Sequence, residues 1–123
     1  MLIEITPPDK DGNFLTLVRP EERVYDGKIL KVPKGFRYDG ASVPWLFRRI
    51  FPQIEPKTRK AVLFHDYGYK VQPLGWTRKE FDLIFYYQML EDGKNRILAL
   101  LGYWAVRCFG WIPWRKNRRA KQS

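Results

Sequence analysis

Apolar and polar positions change their spacing about a third of the way along the chain. Before that point the apolar residues fall in short runs or alternate. LIEI at 2–5 is one such run, closed by Thr6-Pro7-Pro8 and the turn-forming DKDG at 9–12. In NFLTLV (13–18), Phe14, Thr16 and Val18 alternate with Leu15 and Leu17, the two-residue period of a strand. Pro20-Glu21-Glu22 breaks that run. Asp26-Gly27 then sits between the β-prone halves of 23–32, a strong hairpin signal. The pattern predicts three or four antiparallel strands.

From Pro44 onward the period is helical. Proline is tolerated in a first turn, so Pro44 can open a short helix over 44–51. Pro56 precedes a second helix, 57–70, in which Ala61, Phe64, His65 and Gly68 share a face by i, i+3, i+4 spacing. Thr77, with Glu80 three residues on, makes a capping-box pattern for a helix over 78–92, which Gly93 can end. A last helix runs from Lys94 or Asn95 to about Gly110, before Pro113. The expected fold is α+β: one domain over 1–114, with a small antiparallel sheet in the N-terminal third packed with about three main helices. A basic, frayed tail is expected over 115–123.

Composition narrows the chemistry. A chain of 123 residues is long enough for a single hydrophobic core. Its one cysteine, Cys108, cannot form an internal disulfide, so stability must come from packing. One histidine and one cysteine also cannot assemble the usual zinc ligand sets. The N-terminal stretch lacks the basic and apolar regions of a secretory signal, so none is expected. No window reaches the roughly 18 uninterrupted apolar residues of a spanning helix; Arg107 interrupts the nearest, 97–114. A soluble or surface-associated protein is expected.

The lone histidine lies in LFHDYGY, 63–69. A neutral imidazole can take a proton from water, but it needs a partner to fix its tautomer and stabilise the imidazolium. Asp66 is badly placed for this, because successive helical side chains diverge by about 100°. Asp82, on an otherwise apolar stretch of the next helix, is the better candidate, with Arg78 a competing partner four residues before it. Asp66 is then free for another task, such as a metal. FRYDGASVP, 36–44, offers the Asp39 carboxylate and, at Gly40, a backbone free to turn its carbonyls inward. Two readings stay open at His65: a hydrolytic base, or a structural histidine tied to Asp82 or to a carbonyl. Asp39-Gly40-Ala41-Ser42 has its own plain reading as a turn that caps the following helix. A triad through Ser42 is possible in composition, although no G-x-S-x-G elbow surrounds it.

The order DGAS, then proline, then HDYGY, then a later helical aspartate resembles the phospholipase A2 layout, especially its short bacterial and fungal forms. That resemblance implies His65 as the base, Asp82 as its orienting acid and Tyr69 as support. It implies Asp66 and Asp39, with the Gly40 turn, as a calcium site, and ester hydrolysis as the reaction. Three departures stand beside it: no disulfide beside the histidine helix, a loop poorer in glycine, and no signal peptide. A second resemblance spans nearly the whole chain. FRYDGASVP, LFHDY, RKEFDLIFYYQMLEDG and YWAVRCFG are similar to a family of small uncharacterised phage and prophage proteins, domain of unknown function 1353. It implies a phage-related origin and brings no activity.

Charge adds a candidate surface. The net charge is +10, and no acid follows Asp92. Trp104, Arg107, Trp111, Trp114, Arg115, Lys116, Arg118 and Arg119 interleave cations with indoles, which suits an interfacial helix on an anionic bilayer. Phosphate contacts and base stacking on nucleic acid use the same composition, a weaker expectation here. The leading expectation is therefore a phospholipase A2-like His-Asp site, with calcium, at a membrane surface. The rival is a non-enzymatic virion or assembly protein that docks on phage structural proteins through its basic, Trp-rich end. Host cytoplasm, membrane periphery and phage particle all fit as locations.

Overall fold

Asp26 and Gly27 reverse the chain with φ of 50° and 76°. Positive φ at both central residues is what a type I′ hairpin turn requires. The turn joins the strands Glu21–Tyr25 and Lys28–Val32 in a fold whose strands come first and helices second. The computed structural model describes residues 3–5, 15–44, 47–48, 51 and 55–122. These fall into two compact units, Met1–Asp39 and Gly40–Ser123.

The first unit holds β1 (Ile3–Ile5), β2 (Leu15–Leu17), β3 (Glu21–Tyr25), β4 (Lys28–Val32) and β5 (Arg37–Tyr38). A three-stranded antiparallel sheet has the order β1-β2-β5, with Ile3 opposite Leu17 and Leu15 opposite Tyr38. The hairpin β3-β4 pairs Glu21 with Val32 through to Tyr25 with Lys28. Leu15, Leu17, Leu30, Val32 and Tyr38 are buried. The expected strands at 2–5, 13–18 and 23–32 are thus present but shorter or split. Glu21 and Glu22 belong to β3, because only Pro20 lacks the N–H a ladder needs. The two residues of β5 are too few to show alternation.

The second unit holds four helices: α1 (Arg59–Val71), α2 (Arg78–Glu91), α3 (Arg96–Phe109) and α4 (Trp111–Gln122). Within α1, 61–66, Gly68 and Tyr69 are all buried, so it is the central helix rather than an amphipathic surface one. Gly68 allows α2 to approach, since any Cβ there would run into the Phe81 ring. Thr77 and Glu80 form the expected capping box at the start of α2, and Gly93 follows its end with φ of 90°. Asn95 caps α3 by accepting from the Ile97 and Leu98 amides at 2.8 and 3.3 Å.

The expected frayed tail is instead part of α4. Pro113 lies in that helix's first turn, where its missing N–H has no carbonyl to serve, and the Arg, Lys, Ala and Gln residues that follow are good helix formers. Lys121 also donates to the Val71 carbonyl at the end of α1. Of the short helix expected over 44–51, residues 45, 46, 49 and 50 lie outside the described residues. Phe47 donates to the Pro44 carbonyl at 2.9 Å and Phe51 to that of Phe47 at 3.0 Å.

Candidate functional site

The site is built around one carboxylate. Asp82 is fully buried, flanked on α2 by the buried Phe81, Ile84 and Phe85. A charge there is unfavourable unless donors surround it. One turn of α1 sets His65 and Tyr69 on the same face, and both reach it. Asp82 Oδ1 accepts from His65 Nε2 at 2.7 Å and from the Tyr69 hydroxyl at 2.6 Å. Its Oδ2 accepts from Arg107 Nη1 of α3 at 2.9 Å and lies 3.5 Å from Arg78 Nη1. The expected pairing of Asp82 with His65 and the competing one with Arg78 therefore coexist.

These donors decide the charge state. Burial alone would raise the Asp82 carboxyl, but hydrogen bonds from His65, Tyr69 and Arg107 outweigh it and hold the group below the usual aspartate range. Burial pushes the Tyr69 phenol far up, the Asp82 charge adds to that, and Arg78 offsets part of it. Tyr69 thus keeps its proton and donates. An ionised Asp82 can only accept, so His65 must carry hydrogen on Nε2. In the neutral ring Nδ1 is then a bare acceptor.

Nδ1 faces Ser42, whose Oγ is 2.8 Å away. The Ser42 amide also donates to Asp66 Oδ1 at 3.3 Å, and Asp66 Oδ2 lies 3.2 Å from Lys70 Nζ. Two neighbouring residues of α1 therefore hold one loop residue, His65 by its hydroxyl and Asp66 by its backbone. The loop is shaped for this by Gly40, with φ of 74°, and by the Val43 amide bonded to the Gly40 carbonyl at 3.0 Å. Ser42 is 2 % exposed, and His65, Asp66 and Asp82 are fully enclosed.

The residues around Asp66 do not fit calcium. An ion there would meet the Lys70 ammonium and compete with the Ser42 amide. No group of three or more His, Cys, Asp or Glu side chains suited to a metal comes together among the described residues. Asp39 belongs to the N-terminal unit, and Gly40 begins the helical one.

The residues expected on the C-terminal surface divide into two sets. Trp104 and Trp111 are exposed, as are Arg115, Lys116, Arg118 and Arg119. Arg107 and Trp114 turn inward instead. Arg107 reaches Asp82, and Trp114 packs edge-on against Tyr69, with ring centres 5.2 Å apart. Ile97, Leu100, Leu101 and Trp104 form an exposed stripe on α3 at i, i+3, i+4, i+7 spacing, continued by Trp111 and Ile112 of α4. Arg115 lies over the Trp111 ring at 5.9 Å. No single helix among the described residues is long and apolar enough to cross a membrane, and α3 and α4 are bent by 52° where they meet.

Two members of the site, Ser42 and Arg107, stand outside the His65, Asp82 and Tyr69 set that the sequence predicts. Ser42 could be sought only in the loop DGAS, which has no motif to mark it. Arg107 had a signal: a lone cation inside an apolar stretch calls for a buried partner, and Asp82 is that partner.

A family model described as "Protein of unknown function (DUF1353)" matches residues 17–106. No curated protein and no solved structure matches the chain.

Proposed function

The chain belongs to the DUF1353 family, and from its buried polar site we propose that it is a carboxylic-ester hydrolase acting at an anionic membrane surface. One observation carries the reading: His65 holds Asp82 on Nε2 at 2.7 Å and the Ser42 hydroxyl on Nδ1 at 2.8 Å. This is a nucleophile, a base and an orienting acid in line, the arrangement nucleophilic catalysis needs. Ser42 Oγ attacks the ester carbonyl while its proton passes to His65 Nδ1. Asp82 stabilises the imidazolium, which then gives the proton to the departing alkoxide. Water completes the cycle by attacking the acyl-serine carbonyl as Nδ1 takes its proton; the acyl–Oγ bond then breaks, Nδ1 returns the proton to Ser42 Oγ, and the free acid leaves. Because Ser42 is 2 % exposed, an ester reaches Oγ only as the 40–44 turn opens. No step passes through calcium.

The membrane part of the proposal rests on the α3 stripe with its adjoining α4 cations. Exposed Trp104 and Trp111 beside Arg115, Arg118 and Arg119 suit the headgroup region of an anionic bilayer. The test is hydrolysis of long-chain esters presented in phosphatidylglycerol vesicles. Turnover that disappears in Ser42→Ala and His65→Gln, with both variants still folded, is expected. Absence of turnover by the wild type on any ester sinks the proposal.

The enclosure of His65, Asp66 and Asp82 favours a second reading. In it the same hydrogen bonds tie α1, α2 and α3 together, and the protein is a non-enzymatic docking or assembly component, phage-related in origin. Unfolding of the variants together with a catalytically silent wild type is its signature.

A further inference from the structure

We propose that a cavity between residues 41–44 and 47–48 and the junction of α3 and α4 binds a long-chain carboxylate. Its hydrocarbon lies against the walls and its carboxylate between Arg48 and Lys116. The cavity has a volume of about 460 Å³, within the roughly 300–1,000 Å³ of small-molecule sites. Val43, Pro44 and Phe47 supply one wall, and Phe109, Ile112 and Pro113 the other. All are apolar, and Phe109 and Ile112 are half exposed, so a hydrocarbon chain removes from water a surface that the fold leaves wet.

Arg48 and Lys116 are the lining's polar side chains. Arg48 Nε donates to the Val43 carbonyl at 3.0 Å, which anchors the side chain to its own wall. Neither cation pairs with a carboxylate among the described residues. Two cations, with no acid among the described lining residues, select an anion, and the walls select one with a long apolar body. Ala41 and Val43, both in the lining, bracket Ser42 in the chain. The inference thus deepens the hydrolase reading, and rests on it, in one respect: it names the acyl half of the ester as a fatty acid.

The test titrates the full chain with 11-(dansylamino)undecanoic acid below its micellar concentration, then displaces the probe with oleate or oleyl alcohol. Saturable one-to-one binding is expected, with the alcohol roughly tenfold weaker than oleate, a difference of about 1.4 kcal/mol. Ile112→Glu places a carboxylate in the apolar wall and should abolish binding. The double variant Arg48→Glu, Lys116→Glu should weaken oleate roughly tenfold or more while leaving the alcohol unchanged. All three side chains are exposed, so the variants fold, which circular dichroism checks. Absence of saturable binding, or equal affinity in wild type and variants, overturns the site. Binding by a chain that hydrolyses no ester supports the site and removes the hydrolase reading. Hydrolysis without binding overturns the site alone.

Discussion

His65 Nδ1 stands 2.8 Å from Ser42 Oγ, a residue 23 positions earlier in the chain. The contact joins a turn shaped by Gly40 to the most buried helix of the protein, and it gives His65 a second partner beyond Asp82. A histidine bonded on both nitrogens is fixed in tautomer and orientation.

Asp82→Asn should destabilise the protein by about 3–5 kcal/mol, because Arg107, Arg78 and His65 lose the charge they surround. The pH dependence has a definite sign. The folded carboxyl lies below its ordinary value of 3.8, so its contribution is complete above that pH and is lost as pH falls through the lower folded value. Chemical denaturation from pH 7 to pH 2 should therefore show wild type and variant converging in acid. A constant gap between them contradicts the assignment.

Tyr69 gives the alkaline counterpart. Its phenol is pushed far above the ordinary 10.0, so above that pH the unfolded state loses a proton that the folded state keeps, and stability falls. Ultraviolet titration of the folded protein should leave the Tyr69 phenol un-ionised at pH 11, so that Tyr69→Phe lowers the number of un-ionised tyrosines by one. The same variant should cost about 1.5–3 kcal/mol, the worth of a hydrogen bond to a charged group. Complete titration of every tyrosine in the folded wild type would refute the buried bond.

Much of this arrangement was legible in the sequence, and what was not has physical causes. The Asp26-Gly27 hairpin, the Thr77–Glu80 cap and the Gly93 stop are local signals, and each appears as expected. The His65–Asp82 bond followed from a general rule, that an acid on an apolar helix must be paired. The Ser42–His65 contact is not legible, because contact across 23 residues depends on how a turn packs, which no spacing encodes. The sequence places Arg107 and Trp114 on the outer face, because composition cannot separate the two sides of a helix whose cations point both ways. The sequence predicts a tail where α4 stands, because Pro113 and dense positive charge both look like termination.

The α3 stripe should act as a membrane contact. Leu101→Glu and Trp104→Glu should each weaken binding to phosphatidylglycerol vesicles in a sedimentation assay, with folding intact, since both side chains are exposed. Replacing Arg115, Arg118 and Arg119 by glutamate should cost more, at about 1 kcal/mol for each cation lost near the surface, and should flatten the salt dependence. Unchanged binding in both sets would assign this face to another partner.

The reactivity of Ser42 tests the central claim most directly. Intact and peptide mass spectrometry after exposure to a fluorophosphonate should show one covalent adduct, on Ser42. The adduct should be absent in Ser42→Ala and slowed by roughly 10²–10⁴-fold in His65→Gln, the usual share of a general base. An unmodified Ser42 in a folded, vesicle-bound wild type would contradict the account and leave His65 as a structural bond between helices.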